Sequence, residues 1–229
     1  MINKSLPVLS ILLLLGNFVF AQVSDSRCDC PENKFAPTQP EAFFHLSSGE
    51  SIALCGYRAD DDARDLFSEF VVTVCGSDTI LDFWDASLLC EVRQIGDTLF
   101  IGQIASLPIG MEYAREDIAW LIEKITLAEG TLDRKLQLNT DVRRYSRSEI
   151  DTVLRQYEQA DSVPNEYNMA LVARLFIATI SGDTMARSYF MRVRERFGIQ
   201  DGAYSQEYRF LQHMLAHWDR EEGVSSAGY

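Results

Sequence analysis
The chain has 229 residues, with 34 Asp and Glu against 21 Lys and Arg, five Cys and three His. Hydrophobic residues make up 47% and charged residues 24%, which excludes a disordered polymer, a collagen-like chain and a small disulfide knot. The formal charge of −13 excludes a general nucleic-acid binder, because such a protein needs a basic footprint to displace counterions.

Residues 1–21 read as a secretory signal peptide. Lys4 supplies the positive end, Leu6 to Phe20 form the apolar stretch, and Val19-Phe20-Ala21 place a cleavage point before Gln22. The run is shorter than the ~20 apolar residues of a spanning helix. Cys28 follows Asp25-Ser26-Arg27, which is too polar for a lipoprotein signal. The expected location is therefore secreted or periplasmic, with no membrane span after cleavage. Charge is uneven beyond the leader: residues 22–110 carry 15 acidic and five basic side chains, residues 111–229 carry 19 and 15. That contrast suggests two units with different surfaces.

The disulfide candidates are Cys28, Cys30, Cys55, Cys75 and Cys90, all in the front half. An odd count leaves one thiol over if two bridges form, and spacing fixes no connectivity. One link from Cys28-Asp29-Cys30 into the domain is favoured, since a tail gains most from being tied down; such a clip is worth about 2–4 kcal/mol.

Residues 22–40 form a polar tether with Pro31, Pro37 and Pro40. Residues 41–140 then read as an antiparallel β domain. Short runs rich in Val, Ile, Phe and Thr predict strands near 42–46, 51–57, 67–75, 79–84, 87–95 and 98–105, separated by turn residues such as Gly76-Ser77-Asp78 and Gly96-Asp97. Phe70, Val72 and Val74 share one predicted face, opposite Glu69 and Thr73. The stretch 111–145 is ambiguous between helix and strand. Leu132, Arg134, Leu136 and Leu138 share a strand face, so a strand pair at 118–128 and 131–138 is preferred. The predicted fold class is α+β: an antiparallel sandwich or barrel-like domain followed by a four-helix domain.

The helical domain spans 145–222, with a flexible tail at 223–229. Ser146-Arg147-Ser148-Glu149 is a capping-box pattern, and Ile150, Val153, Leu154 and Tyr157 form an i, i+3, i+4, i+7 stripe. Pro164 marks the first residue of a wide-faced, central second helix. Ala186, Tyr189, Phe190, Val193 and Phe197 line a third helix ending at Gly198, and Tyr204, Tyr208, Leu211, Leu215 and Trp218 line a fourth. Gly182-Asp183-x-x-Ala186-x-x-x-Phe190 is similar to the start of the second helix of a tetratricopeptide repeat. The resemblance covers one hairpin, has Ala170, Ala173 and Arg174 near the positions of the repeat's Trp, Leu and Gly, and implies generic helix-hairpin packing.

Several constellations are candidates for chemistry. His213 and His217 stand at i and i+4, a metal-ligand spacing whose bland reading is two surface histidines. Asp82, Trp84 and Asp85 combine carboxylates with an aromatic ring, as glycan-binding surfaces do, although one ring of Phe83 and Trp84 is expected in the core. Asp60-Asp61-Asp62 with Asp65 reads as a solvated acidic loop, with calcium as the sharper reading. Arg187, Arg192, Arg194 and Arg196 make the third helix basic, and Arg143, Arg144 and Arg147 precede the first; they either grip an acidic partner or the acidic front domain of the same molecule, or form ordinary surface pairs. A free Cys beside His45 is a nucleophile in principle. The chain has no nucleotide-binding Gly-rich loop, Gly-x-Ser-x-Gly, His-Glu-x-x-His or Cys-x-x-Cys. No cofactor is expected. The preferred function is a non-enzymatic binding or scaffolding protein with a protein or glycan partner. The alternatives are a small extracytoplasmic hydrolase using carboxylates of the β domain, and a metal-responsive protein using the histidine pair.

Overall fold
The computed structural model describes residues 28–32, 39–59, 65–78, 80–85, 88–128 and 131–221. The expected signal peptide, most of the tether, the Asp60-Asp61-Asp62 loop and the expected tail lie outside the described residues.

Among the described residues, eight strands form one antiparallel open sheet: β1 (Ala42–His45), β2 (Ser51–Arg58), β3 (Leu66–Val74), β4 (Ile80–Trp84), β5 (Cys90–Ile95), β6 (Thr98–Leu107), β7 (Glu116–Ala128) and β8 (Thr131–Leu138). Their order is β1-β2-β3-β5-β6-β7-β8, with β4 beside β3. One edge of β3 serves two strands: Phe70–Thr73 pair with β4, while Leu66 and Phe67 pair with β5. The ambiguous stretch is the expected strand pair, in register from Leu121↔Leu138 to Ala128↔Thr131.

The apolar face of the sheet encloses Ile52, Leu54, Phe67, Phe70, Trp84, Leu99, Ile101 and Ile125. The opposite face of β2 and β3 is buried as well. Ala53, Cys55 and Val71 lie beneath residues Cys28 and Cys30, which are bonded to Cys75 and Cys55. Thr73, expected opposite the Phe70 face, is fully buried. Simple alternation fails there because the strap supplies a second apolar layer. Gly56 answers a different constraint: a Cβ at this position would lie 2.3 Å from the Phe70 Cβ and the Glu69 carbonyl oxygen.

Five helices follow among the described residues: α1 (Arg147–Gln159), α2 (Glu166–Ile180), α3 (Thr184–Met191), α4 (Val193–Arg196) and α5 (Ala203–Glu221). The Ser146–Glu149 capping box starts α1, with the Ser146 N–H donating to Glu149 Oε2 at 2.8 Å. The second helix begins later than Pro164 suggests. Asn165 is its cap, accepting from the Asn168 N–H at 2.8 Å, so Glu166 is the first helical residue. The side-chain cap decides the start, and Pro164 lies just outside the helix. Asp183 caps α3, and the third predicted helix is split at Arg192 into α3 and the four-residue α4. Gly198, at φ +60°, ends α4 in the left-handed conformation, and the Ile199 N–H returns to the Arg194 carbonyl at 3.1 Å.

The α2 face is the most deeply buried, as its wide apolar arc predicts. The helical core does not stop at the sheet. Ala105, Leu107, Trp120, Leu121 and Leu138 belong to it, and Trp120 packs against Phe176 and Trp218 with ring centroids 5.5 and 5.7 Å away. The linking segment is pinned from both sides: Arg143 donates to the Ile109 carbonyl at 2.9 Å, and the Tyr145 N–H donates to Ser181 Oγ at 2.8 Å.

Candidate functional site
Packing of α1 against the α3–α4 corner leaves an open groove of about 490 Å³, lined by Tyr157, Glu158, Tyr189, Arg192, Glu195 and Arg196. The two tyrosine rings stack with centroids 4.7 Å apart, and the Arg192 guanidinium sits 5.8 Å from the Tyr189 centroid. Tyr189 donates its hydroxyl to Glu158 at 2.7 Å, which pushes the phenol's pKa upward. Arg196 donates to the Ala160 carbonyl at 2.6 Å and to Ser162, so it braces the groove floor. Two exposed acids and two arginines thus surround an aromatic floor. The sequence shows Tyr157 and Tyr189 only as members of apolar stripes, and the arginines only as a basic helix. Their convergence depends on how α1 meets α3.

The expected glycan-binding residues are separated by burial. Trp84 is 8% exposed and stacks on Phe70 at 4.9 Å with 9° between the ring planes. Asp82 forms an ion pair with Arg134, which also holds Glu123 and lies over the Trp84 ring at 5.5 Å. The Glu123 hydrogen bond is the main reason the Arg134 pKa rises. Asp85 and Phe83 are exposed. The carboxylates Asp82 and Glu123 therefore converge on one guanidinium above a buried ring.

His213 is exposed and His217 half-buried on α5, with their Nε2 atoms 3.0 Å apart. Arg220 donates to His217 Nδ1 at 2.8 Å. That nitrogen must then be unprotonated, so His217 Nε2 carries the hydrogen and donates to His213. Burial, then Arg220, then His213 lower the His217 pKa. Among the described residues no group of three or more His, Cys, Asp or Glu side chains is arranged to hold a metal.

Cys28–Cys75 and Cys30–Cys55 are disulfides, so both ends of the Cys28-Asp29-Cys30 segment are linked rather than one. Cys90 is free and buried. Burial first, then Glu123 and Asp85, push its thiol pKa up to about 12, the opposite of what a nucleophile needs. His45 bonds Ser51 Oγ at 2.8 Å. Of the arginines on the third predicted helix, Arg187 grips Asp219 of α5 with both nitrogens and Arg194 donates to Ser205 at 3.0 Å. They tie helices together. Asp65 of the acidic loop pairs with Arg58.

The two disulfides suggest an oxidising, extracytoplasmic compartment. Among the described residues no helix is long and apolar enough to cross a membrane. No protein-family model, curated protein or solved structure matches this chain.

Proposed function
We propose that this protein is a secreted or periplasmic, non-enzymatic binding module that takes a polypeptide segment of a partner in the groove between α1 and α3–α4. The groove carries this reading. A Tyr157–Tyr189 floor with exposed charges of both signs suits a mixed-sequence peptide better than a uniformly charged polymer. The β domain is the anchoring scaffold, its sheet wrapped as a sandwich. Contacts between distant strands support the wrapping: Gln94 donates to the His45 carbonyl at 2.6 Å, the Ser47 N–H donates to Asp97 at 2.7 Å, and Arg134 reaches Asp82.

The test is selection from a peptide-display library against the immobilised, oxidised protein. Enriched peptides should lose at least about tenfold in affinity with Tyr189→Ala or Arg192→Ala. No enrichment, or binding indifferent to both variants, would end the proposal; selective binding to a glycan array would reassign the partner.

A second reading, an extracytoplasmic hydrolase, is favoured by the convergence of Asp82 and Glu123 on Arg134. It expects turnover of an envelope glycan or peptide that Glu123→Gln abolishes without loss of fold.

A further inference from the structure
The strand β8 ends the sheet, and its outer edge is bonded by none of the described residues. The direction of its backbone groups is fixed. Asn139, continuing the ladder, donates its N–H to the Trp120 carbonyl at 2.9 Å. Leu121↔Leu138 is the adjacent pair in register, so the odd-numbered residues Thr131, Asp133, Lys135 and Gln137 direct their N–H and C=O toward β7. Leu132, Arg134 and Leu136 direct theirs outward. The side chains divide in the same alternation. Leu132 and Arg134 turn to the core side, where Arg134 meets Asp82 and Glu123, and Leu138 turns into the core shared with the helices, while the odd-numbered residues Thr131 to Gln137 are exposed on the other face.

We propose that β8 pairs with β8 of a second copy of this chain in an antiparallel, two-fold register centred on Arg134. Charge on the exposed, odd-numbered face selects that register. Centring on Asp133 would set it against itself, and centring on Lys135 would do the same to that lysine. Centring on Arg134 sets Asp133 opposite Lys135 of the partner subunit, and repeats the pair by symmetry. These fall at non-hydrogen-bonded positions, where cross-strand side chains come closest. In the ladder with β7, Lys135 stands opposite Lys124, a like-charge pair, so the partner's Asp133 answers an existing repulsion. On the core side Leu132 meets Leu136 of the partner subunit, covering a leucine that is 47% exposed. The two Arg134 side chains face each other, each already held by two carboxylates. The outward N–H and C=O groups of Leu132, Arg134 and Leu136 complete the hydrogen-bonded positions of this register.

The test is the mass of the oxidised protein by sedimentation equilibrium, with charge-swap variants. The wild type should be a dimer. Lys135→Asp places two carboxylates opposite each other across the interface, at positions 133 and 135, and should weaken dimerisation at least about tenfold. It also converts the Lys124 pair to an attractive one, so the monomer fold is not put at risk. Adding Asp133→Lys to it restores opposite charges in the same register and should restore the dimer; Asp133→Lys alone should not. A wild type that stays monomeric to about 100 µM overturns the inference. So does a dimer indifferent to Lys135→Asp, or a monomer that adds foreign peptide strands at β8.

Discussion
Gly56 sets how closely β2 and β3 approach, because any side chain there runs into Phe70. Gly56→Ala should therefore cost about 1–3 kcal/mol or more, read as a lower urea midpoint, since the backbone of a central strand cannot move aside cheaply. Glu149 makes a pH-dependent contribution. Its carboxylate accepts the Ser146 N–H, then bonds Arg143 and the Ser146 hydroxyl, which lowers its pKa to about 2 from an ordinary value of 4.5. A folded-state pKa below the unfolded one gives stability that is complete above the unfolded pKa and is lost as pH falls through the folded one. Glu149→Gln should accordingly flatten the decline in melting temperature between those two values and be destabilising near neutral pH. Cys90 should not react with a thiol reagent in the native protein at pH 8 and should react fully in denaturant, because its thiol is both buried and held protonated.

Among the elements, the amino-terminal strap and the helix caps were legible to different degrees. The capping box of α1 and the glycine stop after α4 depend on neighbours within a few residues, so spacing alone located them. The same local logic placed the strand pair β7 and β8, whose alternation across Glu129-Gly130 has no helical counterpart. The strap was only half legible. The cysteines announce bridges, but their partners are brought close by β2 and β3, 25 and 47 residues downstream. Replacing Cys28 and Cys75 by Ser should cost about 2–4 kcal/mol, measured by denaturant titration under oxidising conditions. The strap should then become sensitive to limited proteolysis, with Cys30–Cys55 still holding its end against Ala53 and Val71. The groove at α1 and α3 was not legible, since tyrosine on an apolar stripe looks the same whether it packs inward or lines a groove.

At the scale of the whole molecule, Trp120 joins sheet to helices. It lies on β7, 2% exposed, yet its ring neighbours are on α2 and α5. Trp120→Ala should cost about 3–5 kcal/mol. Wild-type β and helical signals should melt together by calorimetry and circular dichroism, because one core crosses between them. Two separated transitions would show that the crossing contacts do not couple the parts.

The α+β order of elements, their faces and most of their ends could be read from the chain alone. Hydrophobic period, caps and turns act over a few residues, and each of those signals is written in the chain next to the structure it produces. Four features were visible only once the chain was folded: which cysteines meet, the sharing of one β3 edge between β4 and β5, the covering of Trp84, and the gathering of Asp82 and Glu123 by Arg134. Those outcomes join residues far apart in the chain, and packing of whole faces, not local propensity, selects them.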